Sequence, residues 1–329
     1  MRFSILVPIY NVGKCLEEML ASIDAQTFRD FELVLVDDGS TDGCQDVCDR
    51  YCAANSNAKV LHKPNGGLIS ARRVGIRNAL GEYVLFVDAD DMLKCNALEE
   101  INRVIEEYSS DIVIYNADIF DGTGRQPFFE HELPEGPVQD KRVIYDKLFL
   151  SYSMNSMCLK AMKRTLLDAD RDYSEYYDCS VAEDLLQSVP VYMAAKSIYY
   201  LDKALYDYRT DSGMTHKCNP SYYSSNRRIN IDIRERLKDE GIEDLDKKAA
   251  FHILIAAYAG TTQMKYADRA DNELLESIRE DDEFQRAWDL AWNSPYSGYF
   301  SKKQKLLLKL LHDGNFVMIK LLLKIKGGK

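Results

Sequence analysis

The sequence runs to 329 residues, enough to bury a full core in one large domain or two modest ones, with the 46% hydrophobic and 29% charged content of an ordinary globular protein. A formal net charge of -11 argues against a dedicated nucleic-acid binder. No secretory signal precedes the strand pattern that begins at Phe3, and eight cysteines without paired or Cys-x-x-Cys spacing fit a reduced, cytosolic protein.

Residues 3–9 read as a first strand, ended by Tyr10-Asn11 and Gly13. Leu16, Met19, Leu20 and Ile23 recur at helical spacing up to about Thr27. Residues 31–36 form a second apolar strand that stops at Asp37-Asp38-Gly39-Ser40-Thr41-Asp42. A helix over about 42–53 follows, with Cys44, Cys48 and Cys52 on one face as small core residues rather than zinc ligands. A short strand near 59–62 leads to Lys63-Pro64-Asn65-Gly66-Gly67, which opens a helix over about 68–80 with Gly81 as its C-cap. Strand and helix alternate throughout, which predicts a parallel α/β sheet with ligand loops along one edge.

The next strand, Tyr83-Val84-Leu85-Phe86-Val87, is apolar enough to be buried on both faces and runs into Asp88-Ala89-Asp90-Asp91. Residues i and i+2 of an extended segment point the same way, so Asp88 and Asp90 can converge beyond the strand's carboxyl end. Two converging carboxylates suit a hard divalent ion such as magnesium or manganese. The competing reading is that Asp90 or Asp91 caps the helix starting near Asn96, or turns the chain towards it. In the earlier loops Asp38 can accept from an imide nitrogen, Gly39 permits close backbone approach, and Ser40 and Thr41 can cap a helix; an ordinary turn with Asp42 as N-cap is the alternative. Asn65-Gly66-Gly67 can offer amides to an anion, and Arg72 can pair with phosphate or a base carbonyl or simply be solvated. No Gly-x-Gly-x-x-Gly or Walker loop is present.

Residues 111–116 read as a further strand, and 118–137 as a polar loop or hairpin region. Residues 143–163 carry Tyr145, Leu148, Phe149, Met154 and Met157, lining an acceptor cleft or packing beneath it. Glu183-Asp184 precedes an apolar helix, where acids also suit the helix dipole. From about Ser221 the pattern is helical. Residues 302–329 hold eight lysines against Asp313 alone, interleaved with leucine and isoleucine. No run there is clean enough to span a bilayer, so a basic amphipathic helix on anionic lipid is expected, against docking on protein.

Ser4-Ile5-Leu6-Val7-Pro8-Ile9-Tyr10-Asn11, Gln26-Thr27-Phe28, Val36-Asp37-Asp38-Gly39-Ser40-Thr41-Asp42, Asn65-Gly66-Gly67…Ala71-Arg72 and Gly81-Glu82-Tyr83…Asp88-Ala89-Asp90-Asp91 occur in that order. Together they resemble the family-two inverting glycosyltransferases of GT-A type fold, over roughly the first 120 residues. The resemblance implies an α/β, doubly wound, mostly parallel sheet and a uridine-diphosphate sugar donor. It places Pro8 and Tyr10 around the base, Asp38 on the uracil, and Gly39, Asn65, Gly66 and Ala89 along the nucleotide sugar. Arg72 would approach base or phosphates, Asp88 the ribose or metal, and Asp90 the metal, which is Mn2+ or Mg2+. Asp184 would be the catalytic base, His216 a third metal ligand or diphosphate contact, and Arg209 a partner of the leaving diphosphate or a brace for Asp184. The family commonly has Ala-Arg-Asn where Arg73 stands here, a second basic group able to alter donor contacts or to face solvent.

The domains expected are 1–215, with a nucleotide-sugar half (1–120) and an acceptor-side half (121–215), and a helical 216–329 ending in the basic stretch. The implied activity is metal-dependent transfer of one hexose or N-acetylhexosamine, with inversion, to a glycan or lipid-linked glycan in cell-surface polysaccharide assembly. Its setting would be the cytoplasm, peripheral on the inner membrane face, with no nucleic-acid partner. The alternatives are a catalytically silent nucleotide-sugar binding module and a sugar-1-phosphate nucleotidyltransferase. The latter needs a glycine- and arginine-rich loop that Pro8-Ile9-Tyr10-Asn11-Val12-Gly13 does not supply.

Overall fold

The structure is a computed structural model, and it describes residues 1–121, 124–128, 132–150, 154–179, 181–210, 219–266 and 272–325. Contacts divide the chain into two units, Met1–Lys141 with Ser153–Asp178 and Gln187–Gly213, and Arg142–Tyr152 with Cys179–Leu186 and Met214–Lys329.

The first unit opens with β1 (Phe3–Ile9), α1 (Cys15–Asp24), β2 (Phe31–Asp37), α2 (Cys44–Ala54), β3 (Ala58–His62), α3 (Gly67–Asn78) and β4 (Tyr83–Phe86). These four strands pair in parallel in the order β3-β2-β1-β4, as right-handed strand–helix–strand units require. Every residue of β2 and β4 is buried, and β1 is buried except at Pro8. Because successive residues of these strands are buried, both faces of the sheet are covered, and the strands tolerate largely apolar runs. Gly81 is not a C-cap, because α3 ends at Asn78. It lies against β1, where an added Cβ would sit 2.5 Å from Ser4 N, and its own N–H donates to Ser4 Oγ (2.8 Å). The glycine admits a backbone contact that no side chain could survive.

Beyond β4 come β5 (Met92–Leu93), α4 (Ala97–Tyr108), β6 (Ile112–Phe120), β7 (Arg125–Pro127) and β8 (Gly136–Pro137). After α5 (Arg142–Leu150) of the second unit follow β9 (Lys160–Lys163), α6 (Glu183–Ala194) and β10 (Ile198–Arg209). Here the sheet becomes mixed, running β4-β9-β6-β10-β5, with β9 antiparallel to both neighbours and β5 antiparallel to β10. Residues 160–163 are thus a central strand, which the sequence reading of 143–163 does not separate out. Two lysines disguise the strand in the sequence. Lys160 is buried, with Nζ donating to Ser188 Oγ (3.0 Å) and Met154 O (3.2 Å) while lying over the Tyr192 ring.

The second unit is helical. It combines α5 with α7 (Tyr222–Leu237), α8 (Leu245–Gln263), α9 (Asn272–Arg279), α10 (Asp282–Ala291), α11 (Lys302–His312) and α12 (Phe316–Ile325). Its core gathers Leu254, Ala257, Leu275, Ile278, Phe284, Leu308 and Leu311. The α5 segment belongs here because Phe149 meets the His252 ring edge-on and Asp146 pairs with Lys248 at 2.6 Å. Among the described residues no helix is long and apolar enough to cross a membrane.

Candidate active site

The carboxyl ends of β1, β2 and β4 lie side by side and deliver the polar loops. Just past β1, Asn11 adopts a left-handed φ of +52° that asparagine tolerates better than most residues. Its Oδ1 accepts from Thr41 N (2.8 Å), and its own N–H donates to Ser40 Oγ (3.2 Å), lacing the first loop to the second. Gly13 N donates to Asp42 Oδ2 at 2.8 Å, and Asp42 Oδ1 accepts from Cys44 N at 3.2 Å, so Asp42 serves both the loop and the start of α2. Pro8 is half-buried in β1, whereas Tyr10 is 50% exposed and offers a free ring face beside this edge.

Asp37 and Asp38 are both buried at the end of β2. Asp37 takes Ser40 N (2.9 Å) and His62 Nδ1 (2.9 Å), while His62 Nε2 lies 3.2 Å from Asp49. The Asp37 hydrogen bond holds the His62 pKa above its ordinary value against the opposing effect of burial. Asp38 Oδ1 accepts from Gly66 N (3.0 Å) and Oδ2 from Gly67 N (2.8 Å), and Lys63 pairs with it. The residue assigned to uracil therefore also fastens the 63–67 loop and the first turn of α3. Gly39 lies under that loop at φ +78°, where a Cβ would stand 2.8 Å from Asn65 N. Asn65 is exposed and Gly66 half-buried on the loop's outer side.

At the end of β4, Asp88 and Asp90 are partly exposed while Ala89 and Asp91 are buried. Arg72 is buried in α3 and reaches Asp88 Oδ1 at 3.5 Å while lying over the Phe86 ring. It is therefore not a solvated arginine. Arg73, one position on, turns about 100° away round the helix. It is buried against the Tyr173 ring and donates to the Asp168 carbonyl, so it neither joins the Asp88 side nor faces solvent.

The Asp88–Asp91 segment hangs on β10. Tyr206 donates its hydroxyl to Asp91 Oδ2 (2.7 Å) and accepts from Asp88 N (3.1 Å). Arg209 N donates to Asp91 Oδ1 (2.7 Å), and Arg209 Nε donates to Asp90 O (2.9 Å). The Arg209 guanidinium also pairs with Glu18 and lies over Phe120. Asp91 thus supports the strand end instead of capping α4, whose N-cap is Asn96. Burial, with the Asp88 charge beside it, pushes the Asp91 carboxyl up to about 8 against its two donors. Burial also raises Asp90.

Among the described residues no three carboxylate, histidine or cysteine groups close on a metal. The donor chemistry nevertheless fits a hard ion. Asp90 bears a desolvation that a cation would relieve, and magnesium commonly takes only one or two carboxylates and completes its shell with substrate phosphates. His216, expected as a third ligand, lies outside the described residues.

Asp184 and Glu183 occupy the first turn of α6, within the second unit. The helix opens on Ala182 at φ +61°, whose carbonyl accepts from Leu186 N (3.1 Å). A left-handed alanine is strained by about 1–2 kcal/mol, and such strain gathers at functional sites.

Tyr206 enters the sequence reading only within a run that matches the resembling family, and Lys63 and His62 are given no role at the site. Tyr206 had a visible signal, because it opens the Tyr206-Asp207-Tyr208-Arg209 run, but its hydroxyl's partners, Asp88 and Asp91, lie in a loop more than a hundred residues away.

Residues 4–170 match the profile of the family described as Glycosyl transferase family 2. Glycosyltransferase GlyG of Streptococcus pneumoniae is 34% identical over 220 residues, which take in 64% of this chain and 71% of GlyG. Poly(ribitol-phosphate) beta-N-acetylglucosaminyltransferase TarS of Staphylococcus aureus is 31% identical over 254 residues, 73% of this chain and 43% of TarS. The match to GlyA of Streptococcus pneumoniae spans only 31% of that protein. The crystal structure of S. aureus TarS 1-349 in complex with UDP-GlcNAc superposes with a TM-score of 0.65 at 26% identity, covering 95% of this chain and 88% of that one. Its GT-A fold is the mixed sheet described above. The chain belongs to glycosyl transferase family 2.

Proposed function

We propose that this chain moves one hexose or N-acetylhexosamine from a UDP-sugar to a hydroxyl of a glycan or lipid-linked glycan, with inversion, in cell-surface polysaccharide assembly. The observation that carries the reading is the pair of partly exposed carboxylates, Asp88 and Asp90, held at the end of β4 by Tyr206, Arg209 and Arg72. The N-acetylglucosaminyltransferase activity of TarS and the UDP-GlcNAc in its crystal structure support the donor class.

In this reading Tyr10 packs against the uracil and Asp38 accepts its imide N–H. Arg72 holds Asp88 towards the ribose. Asp184 takes the proton of the acceptor hydroxyl as its oxygen bonds to the anomeric carbon, and the bonding pair to the leaving oxygen departs with the diphosphate. Asp90, with Asp88, would hold Mn2+ or Mg2+, which when bound supplies Lewis-acid neutralisation of the diphosphate.

The test is a screen of nucleotide sugars for binding and slow hydrolysis, with and without manganese, repeated on Asp90→Asn. Manganese should strengthen UDP binding to the parent chain and have little effect on the variant. Equal enhancement in both removes Asp90 as the ligand, and a preference for non-uridine nucleotides overturns the donor.

A further inference from the structure

Helices α11 and α12 each bury one apolar stripe and leave a second apolar set in water. Leu307, Leu308 and Leu311 of α11, and Phe316 and Ile319 of α12, face the core of the second unit. Leu306 (48% exposed), Val317 (71%), Met318 (42%) and Leu321 (48%) do not. One stripe suffices to dock a helix on its own domain, so the exposed set is surplus to packing.

Lysines accompany that surplus. Lys302, Lys303, Lys305 and Lys309 are exposed and Lys320 is half-buried. Among the described residues none of the five makes an ion pair, and Lys303 lies 6.0 Å from the Tyr258 ring. They sit in a stretch of eight lysines and one aspartate within a chain of net charge -11. Three of the five also work against helix stability, whereas Lys309 sits in the last turn of α11, where a cation is favoured. Lys302, Lys303 and Lys305 stand at the start of α11, where the dipole disfavours cations, and no acid occupies the first turn. The start is otherwise well made, with Ser301 and Gln304 forming a capping box. Neither core packing nor helix formation explains the three lysines at the start of α11 or the exposed apolar set.

Spacing supplies the rest. Leu306 is one turn from Lys302, Lys303 and Lys309, and Val317 is one turn from both Lys320 and Leu321. Exposed apolar side chains one turn from lysines match a surface that is anionic outside and hydrocarbon just beneath. An acidic peptide would answer the lysines but leave Val317 and Leu321 in water. We propose that the exposed faces of α11 and α12 dock on an anionic lipid bilayer. The lysines meet the headgroups, while Leu306, Val317, Met318 and Leu321 enter the boundary with the acyl chains. The contact is peripheral and goes beyond the assignment of transferase chemistry.

The experiment is co-sedimentation of the 329-residue chain with phosphatidylcholine vesicles and with mixed phosphatidylcholine–phosphatidylglycerol vesicles. Binding should require the anionic lipid and weaken as salt rises. Lys302→Gln/Lys303→Gln/Lys305→Gln should lower the partition coefficient roughly a hundredfold, since each lysine near such a surface contributes a several-fold gain. Val317→Ser/Leu321→Ser should also weaken it while melting and UDP binding stay at parent values. The proposal is overturned by absence of sedimentation with anionic vesicles, by equal binding to neutral ones, or by indifference to both variants. It is also overturned if light scattering finds a self-associated chain that Val317→Ser/Leu321→Ser disperses, because a second copy then covers the face.

Discussion

Tyr206→Phe isolates what holds the carboxylates in place. The substitution keeps the buried ring, so no cavity opens, and removes only the hydroxyl that donates to Asp91 (2.7 Å) and accepts from Asp88 N (3.1 Å). Burial holds the Tyr206 phenol well above its ordinary pKa, so it acts as a donor at any working pH. Its loss leaves a buried carboxylate oxygen and a backbone N–H each short of a partner, at about 1–3 kcal/mol apiece. Allowing for local relaxation, the expected loss is about 3 kcal/mol. At about 2–4 °C per kcal/mol for a unit of this size, melting should fall by roughly 6–12 °C. Because Asp88 and Asp90 flank the released contacts, manganese-dependent UDP affinity should fall as well. Scanning calorimetry reads the first quantity and titration calorimetry the second. A shift under about 1 °C with unchanged UDP binding would refute the idea that β10 holds this segment through the hydroxyl.

Gly39→Ala should destabilise the chain by at least about 1–2 kcal/mol, since φ is +78° and a Cβ meets Asn65 N at 2.8 Å. Faster amide exchange at Gly66 and Gly67 would report the displaced loop, and parent-like protection would contradict the packing argument. His252 is buried with its pKa pushed down to about 4, and its Nδ1 lies 2.7 Å from Asn230 Oδ1. The unfolded chain protonates it near 6.5 and the folded chain only near 4, so stability is lost as pH falls from 6.5 towards 4, by at most about 3 kcal/mol. Urea titrations from pH 7 to 4 should show a shallower loss in His252→Gln; identical slopes would disprove the linkage. Asp184→Asn should bind UDP like the parent yet slow single-turnover transfer by roughly two to four orders of magnitude, with Glu183→Gln losing much less. Near-parent transfer by Asp184→Asn would move the base elsewhere.

The amino-acid pattern alone determined the first four strands and three helices of the first unit. Strands β1, β2 and β4 are largely apolar, the helices keep a 3.6-residue stripe, and the strands lead into the polar residues that form the loops, so local chemistry and fold agree. The close backbone approach at Gly39 and the carboxylates at 88–91 were legible for the same reason, whereas the positive φ of Gly39 was not read. Long-range pairing was not. Nothing near Lys160 says that its ammonium finds Ser188 and Met154, which lets a lysine-bearing segment become a central strand. Nothing near Arg73 points to Asp168. The loop carboxylates carried no sign of their partners, since Asp38 fastens amides 28 and 29 residues away and Asp91 depends on a strand 115 or more residues distant. Periodicity records which face of an element is buried. Which buried polar group satisfies which other depends on the tertiary approach of distant strands, and only the folded chain decides it, because each such group must find a partner once water is gone.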